Sequence, residues 1–104
     1  MDDYNLYLRE KEVEEILKKA INSYGEKAQI IKTIEELNEL SVELAKFLNG
    51  EEKINSIAEE AADVYIMLAQ LRIMLNIDTQ TDCYKEFKIK RLEERLKWDT
   101  AIMN

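Results

Sequence analysis

No proline interrupts this 104-residue chain, and its only glycines are Gly25 and Gly50. Without proline, a backbone rich in Glu, Lys, Leu, Ala and Ile has little to stop it from propagating helix. Breaks are therefore expected at Asn22-Ser23-Tyr24-Gly25, at Asn49-Gly50, and at Asn76-Ile77-Asp78-Thr79-Gln80-Thr81. Each glycine stands where a helix C-terminal cap would stand. The pattern predicts helices over about 5–24, 27–48, 54–76 and 81–98, followed by a frayed tail. Ser56-Ile57-Ala58-Glu59 has the form of a capping box for the third helix, and Asn55 is the alternative cap. The expectation is an all-α, four-helix subunit forming a single domain over residues 1–104, built from antiparallel helix pairs.

The helices differ in hydrophobic pattern. In the second, Ile30, Ile34, Leu37, Leu40, Leu44 and Leu48 recur at helical spacing and predict one apolar, core-facing side. In the third, Val64 to Leu75 has Gln70 and Arg72 as its polar members, so apolar groups cover nearly the whole circumference. Three neighbours in a small bundle rarely bury such a helix, and a second subunit is the economical solution. A homo-oligomer, dimer or tetramer, is expected; the alternative is a monomer with a thoroughly buried central helix.

Composition removes several chemistries. There is no histidine, which excludes Ser-His-Asp and Cys-His catalysis and histidine-ligated zinc within the chain. A lone cysteine, Cys83, forms no internal disulfide, and no secretory signal opens the sequence, so a cytoplasmic setting is expected. Twenty-two acids against fifteen bases give a formal charge of −7, which argues against nucleic acid polymers and anionic membranes as partners.

The acids are not scattered evenly. Glu35-Glu36-Leu37-Asn38-Glu39 is followed by Glu43, and Glu36, Glu39 and Glu43 share a helical face. Lys32, four residues before Glu36, offsets part of their repulsion. Glu59-Glu60-Ala61-Ala62-Asp63 then leads into the apolar run, with no base within four positions of Glu60 or Asp63. Carboxylates entering a buried helix without a cation are costly unless protonated, paired or metal-bound. An antiparallel hairpin of the second and third helices would place Glu36 opposite Asp63 and Glu39 opposite Glu60, since both pairs have the index sum 99. Four oxygen donors without nitrogen or sulfur favour Mg²⁺, with Mn²⁺ as a substitute. Glu35, or whichever carboxylate stays free of metal, could take a water's proton.

The double motif, Glu35-Glu36-x-x-Glu39 in "IEELNEL" and Glu60-x-x-Asp63 in "AEEAADVYIML", resembles the MazG-like all-α nucleoside triphosphate pyrophosphohydrolases. The likeness extends over roughly residues 24–76. It implies helical subunits that dimerise or form tetramers, and Mg²⁺-dependent cleavage of an NTP or dNTP to NMP and pyrophosphate. By motif position, Glu36, Glu39, Glu60 and Asp63 would be metal ligands. Glu35 would be a further ligand or the base, with Glu39 and Glu35 the catalytic carboxylates. The same resemblance places basic residues against the substrate's phosphates, sometimes across the dimer. The candidates are Lys88, Arg91 and Arg95, which share a face of the last helix, together with Lys32 beside the acidic motif. Their alternative role is an ordinary solvated face.

Two other readings compete with a broad pyrophosphohydrolase. One is a dUTPase-type enzyme of the same superfamily; the other is a non-catalytic helical dimerisation or regulatory module. Tyr4, Tyr7, Tyr24, Tyr65, Tyr84 and Trp98 are candidates for base stacking, with Tyr65 expected in the core and Cys83 without a chemical role.

Overall fold

The computed structural model describes residues 2–103. Among these the chain is all-helical, in the order α1 (Asp3–Tyr24), α2 (Glu26–Leu48), α3 (Ile54–Met74) and α4 (Asp78–Met103). The sequence-based expectation of four helices broken near 25, 50 and 76 matches this order. Gly25 and Gly50 adopt φ of +90° and +93°, and their N–H groups donate to the carbonyls of Ile21 and Phe47. Both positions use the left-handed freedom that a Cβ would penalise.

The helix ends differ from expectation for local reasons. Asp2 caps α1, its Oδ1 accepting from the Asn5 N–H at 2.8 Å, so that helix begins earlier than residue 5. Helix α3 starts at Ile54 without a side-chain cap, and the Ile57 N–H already donates to the Lys53 carbonyl. Neither the Ser56–Glu59 box nor Asn55 therefore begins the helix. At its other end α3 stops at Met74, two residues short, because Asn76 takes φ +53°. Helix α4 begins at Asp78 and not at 81, with the Thr81 N–H bonded to the Ile77 carbonyl. It continues to Met103, where a frayed tail was expected.

Packing is uneven. Helices α2 and α3, joined through 49–53, pack together most extensively, with α1 lying against both. The apolar core is small: Leu17, Val64 and Met67. The buried side of α2 is Gln29, Thr33 and Glu36, not the aliphatic stripe that hydropathy singled out. Within that stripe Ile34 is 54% and Leu48 85% exposed, with Leu37 and Leu44 exposed beside them. The expectation for Tyr65 is overturned in the same way, since it is 77% exposed. Periodicity identifies a face; it does not say which neighbour takes it.

Helix α4 touches α3 alone, near the turn. There the Arg72 guanidinium donates to Asp78 Oδ1 at 2.6 Å and to Asp82 Oδ1 at 2.8 Å. This fork ties the first turn of α4 to the end of α3. From Asp82 to Ile102 every residue is exposed. No described helix is long and apolar enough to cross a membrane.

Candidate metal centre

The acidic residues of α2 and α3 meet where the two helices pack. One oxygen each from Glu36, Glu60 and Asp63 lie within 4.8 Å of one another. The index matching that paired Glu36 with Asp63 is thus realised in space, and Glu39 faces Glu60 closely enough to shift its titration. Glu36 is 5% exposed, and its Oε1 accepts from Lys32 Nζ at 3.0 Å. Its other oxygen, Oε2, is buried with no hydrogen-bond partner, as is Oε2 of Glu60.

Burial, then repulsion from Glu39, raise the Glu60 carboxyl above its ordinary range; Asp63 and Glu36 add to the shift. The hydrogen bond to Glu36 is the main reason the Lys32 ammonium is likewise raised. Lys32 is the sole base paired with the cluster among the described residues, so several carboxylates share one cation. Such a group is relieved by protons or by a divalent cation.

The donor set fits a hard ion. Oxygens bound to one Mg²⁺ at about 2.1 Å stand about 3 Å apart when adjacent and about 4.2 Å when opposite. The three carboxylate oxygens lie within 4.8 Å of one another, a spread of the same order. The oxygen-only ligand chemistry and the orphaned buried oxygens point the same way.

A cleft of about 220 Å³ adjoins the cluster, lined by Asn38, Glu39, Val42, Glu43 and Glu60. Glu43 is the residue that motif reasoning left out of the site. Its Oε1 pairs with Lys46 at 3.3 Å, while its Oε2 is buried and unpartnered. The signal was available, because Glu43 follows Glu39 by one helical turn.

Other candidates lie apart from this group. Glu35 is on the solvent side of α2, 3.8 Å from Lys32. Lys88, Arg91 and Arg95 are exposed on α4, which makes no contact with α2, and the Arg91 guanidinium sits 5.8 Å from the centroid of the Phe87 ring. Within one subunit these cations and the acidic centre belong to different regions. No protein-family model, curated protein or solved structure matches this chain.

Proposed function

We propose that this protein is a Mg²⁺-dependent pyrophosphohydrolase that converts a nucleoside triphosphate, ribo or deoxy, to the monophosphate and pyrophosphate. The observation that carries the reading is the meeting of Glu36, Glu60 and Asp63 with buried, unpartnered carboxylate oxygens. The choice of reaction rests on the resemblance of the double acidic motif to the MazG-like enzymes.

Glu36, Glu60 and Asp63, with Glu39 beside Glu60, would hold the ion, and Mn²⁺ could replace Mg²⁺. When bound, the ion supplies charge neutralisation at the phosphates and acidifies a coordinated water. Helices α2 and α3, taken as an antiparallel pair, keep these carboxylates in register. Lys32 limits the repulsion at Glu36 and would be the cation beside the cluster available to a phosphate oxygen. Glu39, on the cleft wall, would accept a proton from the cluster's side, whereas Glu35, turned to solvent beside Lys32, would do so only from outside the cluster. The basic face of α4 would neutralise phosphate only if brought in from another subunit, which accords with a homo-oligomer.

The test is a panel of canonical and modified (d)NTPs with Mg²⁺, scored by product. Pyrophosphate and monophosphate support the proposal; orthophosphate, or no product across the panel, overturns it. A preference confined to dUTP would favour the dUTPase-type reading.

A further inference from the structure

The seam between α2 and α3 carries a polar pair beyond the acids. Gln29 and Gln70 are 6% and 5% exposed, and Oε1 of Gln70 is buried with no hydrogen-bond partner. Gln29 precedes Glu36 by seven residues, and Gln70 follows Asp63 by seven. Over that span a helix makes nearly two turns, so each glutamine lies within about 20° of the face its acid occupies. Glu36 and Asp63 meet across the seam, which sets Gln29 and Gln70 opposite each other further along it. Their index sum is 99, as for both acid pairs. Thr33, buried between Gln29 and Glu36, is already engaged, its Oγ1 donating to the Gln29 carbonyl at 2.8 Å. The Gln29 carboxamide brings two N–H donors to the side facing Gln70.

The place of this pair along the seam matters. Helices α2 and α3 are joined at one end through 49–53. Glu36 and Asp63 stand about 20 Å from that turn, and the glutamines about 30 Å from it. A helix pair tied at one end can still splay or roll at the other. Apolar contacts resist such shifts weakly, because hydrophobic burial has no direction. A buried carboxamide pair resists them, because a shift strands polar atoms in the interior. Buried polar residues between helices fix register in this way, at a cost in stability.

We infer that Gln29 donates to Gln70 across the seam as a register pin, closing the far end of the α2–α3 pair. Glu36, Glu60 and Asp63 are then held at one level between pin and turn. The two glutamines are positioning residues, outside the acidic cluster itself. The consequence for metal binding rests on the reading of that cluster as a Mg²⁺ centre; the pin does not.

Methionine keeps the length of glutamine without its polar atoms, so the test is the double variant Gln29→Met/Gln70→Met in the full chain. Nitroxide labels on Lys27→Cys and Tyr65→Cys, both exposed positions, report the α2–α3 distance by pulsed electron resonance in a Cys83→Ser background. The measurement is made without metal, with labelled chains diluted in unlabelled ones. Chains with both glutamines should give one narrow distance, and the methionine pair a broad or double one. A distribution that stays narrow overturns the pin. The Mg²⁺ midpoint of the thermal shift should rise about 10-fold in the double variant, the scale seen when support for metal ligands is lost. Urea stability should be unchanged or greater, because an apolar pair replaces a buried, unpartnered oxygen. Stability lost together with affinity would make the glutamines ordinary core packing and overturn the positioning role, as would an unchanged midpoint. A wild-type chain with no Mg²⁺ response would remove the metal reading and the positioning of ligands with it, while the metal-free distances still decide the pin.

Discussion

The α2–α3 pair and helix α4 are both regular helices with opposite fates. Along α2 the residues turned inward are Gln29, Thr33 and Glu36, so the α2 side of the best-packed pair is polar. Along α4, Phe87, Leu92, Leu96 and Trp98 are all exposed. A protein that buries glutamate while leaving phenylalanine in water is ordered by something besides hydrophobic burial within one chain. At α2–α3 several carboxylates gather beside one ammonium, Lys32; at α4 the apolar side chains lie uncovered in the subunit.

The largest expected effect breaks this comparison at the acidic end. Asp63→Ala and Glu39→Ala should each lower Mg²⁺-dependent pyrophosphate release by at least about 100-fold, on the order of 3 kcal/mol of transition-state stabilisation. Far-UV circular dichroism should stay helical. Full activity in both variants would remove the proposed site.

Core truncation should separate the two regions by mechanism. Met67→Ala, at a buried position of α3, should cost about 2–4 kcal/mol in urea unfolding at any protein concentration. Leu92→Ala on α4 should cost less, because Leu92 is exposed in the subunit. Equal losses would contradict the distinction between a core helix and an uncovered one.

Metal binding sharpens the polar half. At one hundred times its Kd, Mg²⁺ should stabilise the fold by about 2.7 kcal/mol, measured by thermal shift. The Glu60 carboxyl is raised in the fold, so around and above the ordinary glutamate range the native state binds more protons than the unfolded chain. Metal-free stability from this group therefore falls as pH rises through that window. Mg²⁺ needs the ionised form, so its affinity should rise with pH and binding should release protons. Calorimetry in buffers of different ionisation enthalpy measures that release. A pH-independent Kd across the window would argue against Glu60 as a ligand.

The smallest effect concerns the joint between the two regions. Asn76, at φ +53°, should tolerate Asn76→Gly nearly neutrally, while Asn76→Ala should cost about 1 kcal/mol in denaturant unfolding. Equal stability of the two variants would remove the left-handed turn as the stop signal for α3.

Much of the site was legible because it is a matter of register. Glu36, Glu39, Glu60 and Asp63 are set by helical spacing on each side and by one reversal near Gly50, and helices keep spacing rigidly. The burial of α2 was not legible. The Ile30–Leu48 stripe advertises a core-facing side, yet α3 packs on the side a third of a turn away. Glu35 shows the same limit, since adjacency in the motif put it beside Glu36 while the helical rotation turned it to solvent.

By itself, then, the sequence determined that this chain is four helices, where they break, and which carboxylates share a level. Local propensity, absent proline and left-handed glycines act within a few residues and need no partner. Only the tertiary structure decided that the buried side of α2 is polar, that Glu36 is buried while Glu35 is not, and that α4 is left uncovered in the subunit. Those outcomes depend on which of several apolar faces finds a neighbour, and that competition is settled by packing between distant segments.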